Sequence, residues 1–450
     1  MTTFATDKFT IQQFYNRREF LKLSALASAG FLAGCAINPV TGEKQMMLVS
    51  EEWEIEVDQQ NSPHQCSTDY GILQDEGLNR YIQQVGALMV PHTHRPQMPY
   101  SFQGVNATYI NAYAFPGGSI AATRGILLSL ESEAAFSALL GHELGYVNAR
   151  HTAQQMSKGA VTQAILGGIS AYVGTKGEFY GQLASQLGML GAGALLASYS
   201  RDNEREADYL GMTYMIKSGY GTEGIVQLMT LLNDLHKGSS NAVSLLFATH
   251  PMSQERYDTA VSRGNSEFSY ARGRPLNRER YMDNTAGLRK LKIPIQHFQE
   301  AEALMAEESY DKAETSFQEG LKIAPSDYAG LVMMAKCQYA QEKYDRALDF
   351  SEEAKRVYPE EAQANHLSGL SKIKLKKFDQ AVEDFTNYEK KLPGNPNTIF
   401  YRGYAFEGMD NRQKSAEDYS RYLQQVTEGD KAEYAYQRLV KWGVIKQSKQ

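Results

Sequence analysis

The chain has 450 residues, enough for two or three domains with ample core, and its composition is ordinarily globular. A net charge of −6 gives no electrostatic reason to expect nucleic acid or a charged membrane surface as partner. Three cysteines (Cys35, Cys66 and Cys337) are too few for a disulfide framework.

The first 34 residues read as a targeting segment rather than as fold. Asn16-Arg17-Arg18-Glu19-Phe20-Leu21-Lys22 fits a twin-arginine export signature, and Leu23–Leu32 is an apolar run too short to span a bilayer as a stable helix. Leu32-Ala33-Gly34-Cys35 resembles a bacterial lipobox, in which Cys35 becomes the first mature residue and carries the lipid. Ala36 follows it where Asp would signal retention, so the expected location is the periplasmic side of the outer membrane, by a lipid anchor. That compartment is oxidising, and Cys66 could pair with Cys337. They fall in different expected domains, and two solitary buried thiols is the favoured reading.

Pro39 and Gly42 mark a turn before a strand-like run, Met46–Val49. Ser50 is a good N-cap for a helix over Glu51–Gln60, and Leu78–Met89 has apolar residues at helical spacing. Ser101–Val105 and Ala107–Ala114 alternate like strands, Pro116-Gly117-Gly118 is a turn, and Ser119–Thr123 is a third strand candidate. An extended peptide could add to such a strand as one more strand; a plain structural hairpin is the alternative.

Ser137–His151, SALLGHELGYVNARH, then reads as a helix. An H-E-x-x-H helix sets two imidazoles one turn apart on one face, where both reach one zinc, and holds the intervening Glu where it can take a proton from water. His142 and Glu143 are present, and the i+4 position is Tyr146. His151, nine residues past His142, falls on roughly the opposite face and cannot replace it. Lys158–Ser200 is rich in Gly and Ala and uncharged from Phe179 on, which suits a buried helical hairpin or a lid better than a membrane span. Ser200–Gly219 is a second helix, with Glu204 and Asp208 at i and i+4 on one face. Ala248-Thr249-His250-Pro251 is a polar loop followed by Arg256, and 271–293 is charged and weakly periodic, a linker.

From residue 294 a period of 34 sets in. Tyr310, Tyr344 and Phe378 are in phase, as are Ala313, Ala347 and Ala381, then Pro325, Pro359 and Pro393. Ala301, Ala335, Gly369 and Gly403 put a small residue in the first helix of each unit. This is the tetratricopeptide pattern: three full units, a fourth one residue out of phase at Ala416, and a capping helix over Lys431–Val444. Stacks of this kind form a concave groove for peptides or partner proteins.

Taken together, NPVTGEKQ, Asn111–Gly118, HELGYVNARH, EREAD and THP resemble the zinc metallopeptidases that include the CAAX prenyl endopeptidase, the HtpX heat-shock membrane protease and the mitochondrial Oma protease. The resemblance implies an α+β, mainly α, architecture: a gluzincin-type metallopeptidase domain over 35–270, the linker over 271–293, and an α-solenoid of tetratricopeptide repeats over 294–446. It implies one zinc per chain, with His142 as first ligand, Glu204 as third ligand and Glu143 as general base. Asp208 matches the acid one turn on, a proton donor or supporting partner. His250 stands where relatives carry a loop His that caps the zinc, and Arg256 where an Arg could steady the oxyanion. Asn111, Ala112, Tyr113, Ala114 and Phe115 match the substrate-binding edge strand. The implied partners are unfolded or misassembled envelope proteins and, through the repeats, outer-membrane assembly machinery.

Tyr146 stands at the family's second zinc His. A phenol is protonated near neutral pH and must lose its proton to bind a metal well. Three readings are open: a natural inactivating change, a tolerated variant with weak zinc, or a point variant of an active enzyme. Two functions follow: a periplasmic zinc metalloendopeptidase of envelope protein quality control, or a catalytically silenced chaperone or scaffold that binds envelope proteins through the repeats.

Overall fold

The computed structural model describes residues 35–47, 49–155, 199–238 and 241–446. The expected export segment and nearly all of the Gly-rich stretch after Lys158 lie outside the described residues.

β1 (Cys35–Ile37) pairs antiparallel with β2 (Lys44–Met46) around a turn in which Asn38 Oδ1 accepts from the Val40 and Thr41 amides. α1 (Glu51–Thr68) is capped by Ser50, as its sequence indicates, but runs eight residues past the expected end, through Pro63. Burial of Cys66 and Ser67 against the repeats overrides the helix-breaking residues there. α2 (Glu76–Ala87) begins at the Asp75 cap. β3 (Ser101–Val105), β4 (Ala112–Ala114) and β5 (Ser119–Thr123) form one sheet in the order β3-β5-β4, with β3 parallel and β4 antiparallel to β5. β4 is an outer strand, shorter than expected because Thr123 Oγ1 accepts from the Asn111 amide and donates to the Tyr109 carbonyl, looping the chain before it.

The sheet leads through α3 (Arg124–Ser129) into α4 (Glu133–Ala149), which carries His142 and is buried at every residue. Against it lie α5 (Arg201–Lys217) and α6 (Glu223–Gly238); α7 (Ser244–Thr249) and α8 (Gln254–Asn265) follow. Residues 271–293 correct the expectation of a linker. They hold α9 (Arg278–Asn284) and α10 (Ala286–Lys290), and fully buried Tyr281 donates to the Leu127 carbonyl at 2.7 Å. Helices this short show too few turns for an apolar period to register, so one anchoring aromatic hides among charged neighbours.

The repeats then stack as α11 (Lys292–Ala306) with α12 (Tyr310–Ile323), α13 (Tyr328–Ala340) with α14 (Tyr344–Val357), α15 (Gln363–Lys374) with α16 (Phe378–Lys391), and α17 (Pro396–Gly408) with α18 (Arg412–Leu423). α19 (Asp430–Lys441) caps the stack. Each in-phase aromatic opens a second helix, and each in-phase proline follows its end. The small position is needed: a Cβ on Gly369 would meet the Phe385 ring at 2.7 Å.

α11 and α13 turn inward onto the preceding domain. Arg124, the first residue of α3, meets Asp327 at 2.5 Å, both nearly fully buried. Glu302 accepts from Thr108 and from Tyr70, and Lys336 lies 4.4 Å from the Tyr70 ring centre. Arg124→Met, which strands Asp327 in the interface, is expected to lower the unfolding free energy by about 3–5 kcal/mol, read by urea denaturation. Burial pulls Lys336 down to about 8, against the pull of Glu302, Glu361 and Asp69. The folded base therefore holds its proton more weakly than the unfolded one, so stability rises with pH from about 8 toward the ordinary lysine value of about 10.4. The urea midpoint of the wild type should accordingly gain on that of Lys336→Met across this window.

Candidate metal centre

α4 and α5 touch backbone to backbone. A Cβ on Gly141 would stand 2.8 Å from the Gly211 carbonyl oxygen, and one on Gly145 would stand 2.8 Å from Ala207 Cα. The glycines on either side of His142 thus let α5 approach until Glu204 and Asp208 reach the motif. α5 starts at Ser200, whose side chain and that of Asn203 form a reciprocal cap. His250 arrives as the C-cap of α7, with its amide donating to the Leu246 carbonyl. Arg256 comes from the first turn of α8, capped by Ser253.

His142, Glu143, Tyr146, Glu204, Asp208, His250 and Arg256 converge, each at most 9% exposed. His142 Nδ1 lies 2.8 Å from Asp208 Oδ1, which favours the proton on Nδ1 and leaves the Nε2 lone pair toward the centre. His142 Nε2 is 3.4 Å from His250 Nδ1 and 3.8 Å from Glu204 Oε2. His250 Nδ1 is in turn 3.4 Å from Glu204 Oε1. Ligand atoms of His142, Glu143 and His250 all fall within 4.8 Å of one another.

Tyr146 joins this cluster by hydrogen bonding. Its hydroxyl donates to Glu204 Oε1 and lies 3.1 Å from His250 Nδ1, while its ring stacks on Tyr199 at 4.0 Å. Burial, then the Glu204 charge, pushes the phenol well above its ordinary range, so the hydroxyl stays protonated. Arg256 holds the other Glu204 oxygen at 2.5 Å and grips Asp208 with two bonds of 2.8 Å. Arg256 is thereby committed to structural ion pairs, where the sequence reading gave it the oxyanion. Burial raises Glu143, with His250 and His142 pulling the other way, and its Oε2 has no hydrogen-bond partner among the described residues. For Asp208 burial opposes ionisation, but the Arg256 charge and hydrogen bonds from His142 and Arg256 override it and hold the carboxyl well below the usual range.

His151 bonds Glu206 at 2.8 Å and stays out of the centre, as its spacing requires. Asn111–Phe115 is buried; Ala114 and Phe115 border the same small closed space as Tyr146, whereas Tyr113 donates to Asp69 at 2.5 Å on the sheet's other side. Cys66 and Cys337 are free, buried thiols. Cys35 lies in β1. Sequence reasoning missed Tyr199, whose amide donates to the Thr249 carbonyl and ties the loop before His250 to the Tyr146 stack. It also missed Arg95, which bonds the Val147 carbonyl at the end of α4 and pairs with Glu54 at 2.7 Å. Neither residue carries a local motif.

Arg256→Ala leaves two buried carboxylates without their cation. In chelator-treated protein it is expected to cost about 3–5 kcal/mol at neutral pH. Both acids are held ionised in the wild type, so the deficit shrinks as pH falls and the variant's carboxyls take up protons. Thermal melts from pH 7 to pH 4 check this.

Residues 76–263 match peptidase family M48, and residues 304–369 match the tetratricopeptide repeat. A putative β-barrel assembly-enhancing protease of Vibrio cholerae is 27% identical over 281 residues, 57% of this chain and 58% of that one. The β-barrel assembly-enhancing protease of Escherichia coli is 28% identical over 202 residues, 43% of this chain and 40% of that one. The metalloprotease YcaL of Escherichia coli is 32% identical over 158 residues, 35% of this chain and 59% of that one. The chain thus spans between two fifths and three fifths of these relatives' lengths. Residues 76–263 are thus similar to peptidase family M48, with tetratricopeptide repeats behind them.

Proposed function

We propose that the chain is a zinc metalloendopeptidase of envelope protein quality control, held at low activity by Tyr146. The observation that carries this reading is Glu143, buried beside two converging imidazoles with a carboxylate oxygen that has no hydrogen-bond partner among the described residues. Zinc–nitrogen and zinc–oxygen bonds of about 2.0–2.1 Å in a tetrahedron set ligand atoms about 3.3–3.4 Å apart, and the 3.4 Å spacings at His250 fit that figure. The donor set therefore suits zinc.

When bound, the metal supplies Lewis-acid polarisation of the scissile carbonyl. Glu143 takes the proton of the attacking water and returns it to the leaving amine; burial raises its affinity for that proton, which suits both steps near neutrality. Asp208 orients His142, and Arg256 fixes Asp208 and Glu204. β4 is an outer strand of its sheet, buried here, to which substrate backbone adds as a strand once its cover moves aside, with Asn111–Phe115 as its docking residues. Export through Arg17 and Arg18 and lipidation at Cys35 put this chemistry on the periplasmic side of the outer membrane. The names of the relatives support unfolded or misassembled outer-membrane proteins as clients, with the repeats contacting the assembly machinery.

A second reading is a silenced chaperone or scaffold. Tyr146 favours it, because a protonated phenol bonded to Glu204 stands at the motif position where a second imidazole would bind. Cleavage of an unfolded outer-membrane protein by the purified, zinc-supplied chain separates the two. The endopeptidase reading expects Tyr146→His to cleave at least about tenfold faster than the wild type, and Tyr146→His/Glu143→Gln to lose general-base catalysis of about 10²–10⁴-fold. Client binding with no cleavage in any of these proteins would establish the scaffold.

A further inference from the structure

We infer that a polar ladder of Gln363, Asn397 and Lys431, on the first helices of the third and fourth repeat units and on the capping helix, holds the C-terminal end of an extended polypeptide, with Lys431 on its carboxylate. The inference concerns the repeats and stands apart from the metal centre, so it applies to the endopeptidase and to the scaffold alike.

The ladder is written in the period. One position of each unit reads Ile295, Ala329, Gln363, Asn397 and Lys431, 34 residues apart. In the first two units it is apolar, and those units already face the peptidase domain through Glu302 and Lys336. In α15, α17 and α19 it turns polar. Gln363 and Asn397 are buried there, and Lys431 is half-buried.

Three observations carry the inference. First, Lys431 is a cation with no carboxylate partner among the described residues. Its Nζ donates to Asn397 Oδ1 at 2.7 Å and lies 4.8 Å from the Tyr401 ring centre. Burial alone pulls this amine down to about 8. Lys336 has as low a value, but three acids pull it back up. Desolvating an amine without supplying an anion is costly, and an incoming carboxylate removes that cost. Second, the amides of the ladder are unsatisfied. Asn397 Nδ2 and Gln363 Oε1 are buried with no hydrogen-bond partner among the described residues. One is a donor and the other an acceptor, and a peptide backbone carries the complement of both. Lys431 sits on Asn397, so an anion that draws the amine outward also uncovers the amide. Third, the position three residues on from the ladder is aromatic: His366, Phe400 and Tyr434, the last two with ring centres 6.0 Å apart. Rings beside a cation suit an unfolded chain with apolar side chains and a charged end.

The cation comes last in the ladder, so the ligand's carboxylate lies at α19 and its chain runs back toward α15. Packed helices stand about 8–10 Å apart, so each step of the ladder takes up roughly three extended residues of about 3.3 Å each.

The test is peptide binding by fluorescence anisotropy to the full chain carrying Glu143→Gln, which keeps the probe from being cleaved. The probe is an unstructured, fluorescein-labelled peptide with a free C-terminal carboxylate and one interior aspartate. One twin ends in an amide, and another has asparagine for the aspartate. The amidated twin should bind about 10–100-fold more weakly than the free peptide, the loss of one charge-assisted bond. The asparagine twin should bind as the free peptide does. Lys431→Met should weaken the free peptide by the same factor and leave the amidated one unchanged, which localises the carboxylate to this amine. Circular dichroism melts should place Lys431→Met near its parent, because no buried acid is stranded when the amine goes. Lost binding is then not a folding defect.

Equal affinity for the free and amidated peptides would overturn the inference, as would Lys431→Met binding both as its parent does, or a parent that binds no probe. Weak binding of the asparagine twin alone would also overturn it, since the carboxylate read is then a side chain's. None of these results touches cleavage by Tyr146→His, so the peptidase reading stands or falls separately.

Discussion

The close approach of α4 and α5 is the constraint on which the site depends. Glycine at 141, 145 and 211 removes the side chains that would hold the two backbones apart. Only at that distance can carboxylates on one helix meet an imidazole on the other without long, mobile linkers. Once they meet, Glu204 and Asp208 are buried together, and the fold must supply positive charge or hydrogen-bond donors to keep them there. Arg256 and Tyr146 do this at Glu204, and Arg256 and His142 do it at Asp208. The cluster is therefore an electrostatic balance first and a set of metal donors second.

The rest of the peptidase domain steadies this pair of helices. Arg95 and Arg150 clamp the end of α4 to Glu54 on α1, and Arg150 adopts a left-handed backbone with φ of 59° as the chain leaves the helix. At the other end, Glu133 accepts from Tyr81 and Tyr220 and pairs with Arg280, the last from the segment whose sequence looks like a tether. An uncompensated charge at any of these places would be costly, so the motif helix is fixed at both ends before its functional residues are considered.

Much of this was legible in the sequence where a residue type has one physical use at a fixed spacing. Ser50 and Ser200 announce their helices by capping. The aromatic, small and proline positions of the repeats recur because identical helix pairs must stack, and the aromatic and proline positions register the observed boundaries. His142, Glu143, Glu204 and Asp208 were readable because the i, i+1 and i, i+4 spacings are local. What was not legible depends on distant chain segments meeting. The resemblance marked His250 as a cap, but no local pattern gives its distance from His142. The resemblance placed Arg256 where an Arg could steady the oxyanion; its pairing with two acids is not legible, because the sequence does not reveal which anions remain uncompensated after folding. Tyr199 and Arg95 have meaning only against partners about 50 residues away.

The docking of the repeats has a further consequence. The inner sides of α11 and α13 present Glu302 and Lys336 to Thr108 and Tyr70 of the peptidase domain. Tyr70 itself sits at a left-handed φ of 64°, a conformation that a non-glycine residue keeps only when its surroundings enforce it. The first two units therefore already have an intramolecular ligand. By thermodynamic linkage, a partner that needs this face must compete with Tyr70, and its affinity is reduced by the fraction of molecules in which the face is uncovered. Since Thr108, whose hydroxyl donates to Glu302 and whose carbonyl accepts from Gln299, stands four residues before β4, release of that face also removes two bonds from the segment leading into the outer strand. Binding at this face of the repeats and the packing of the segment that leads into the outer strand therefore draw on the same contacts.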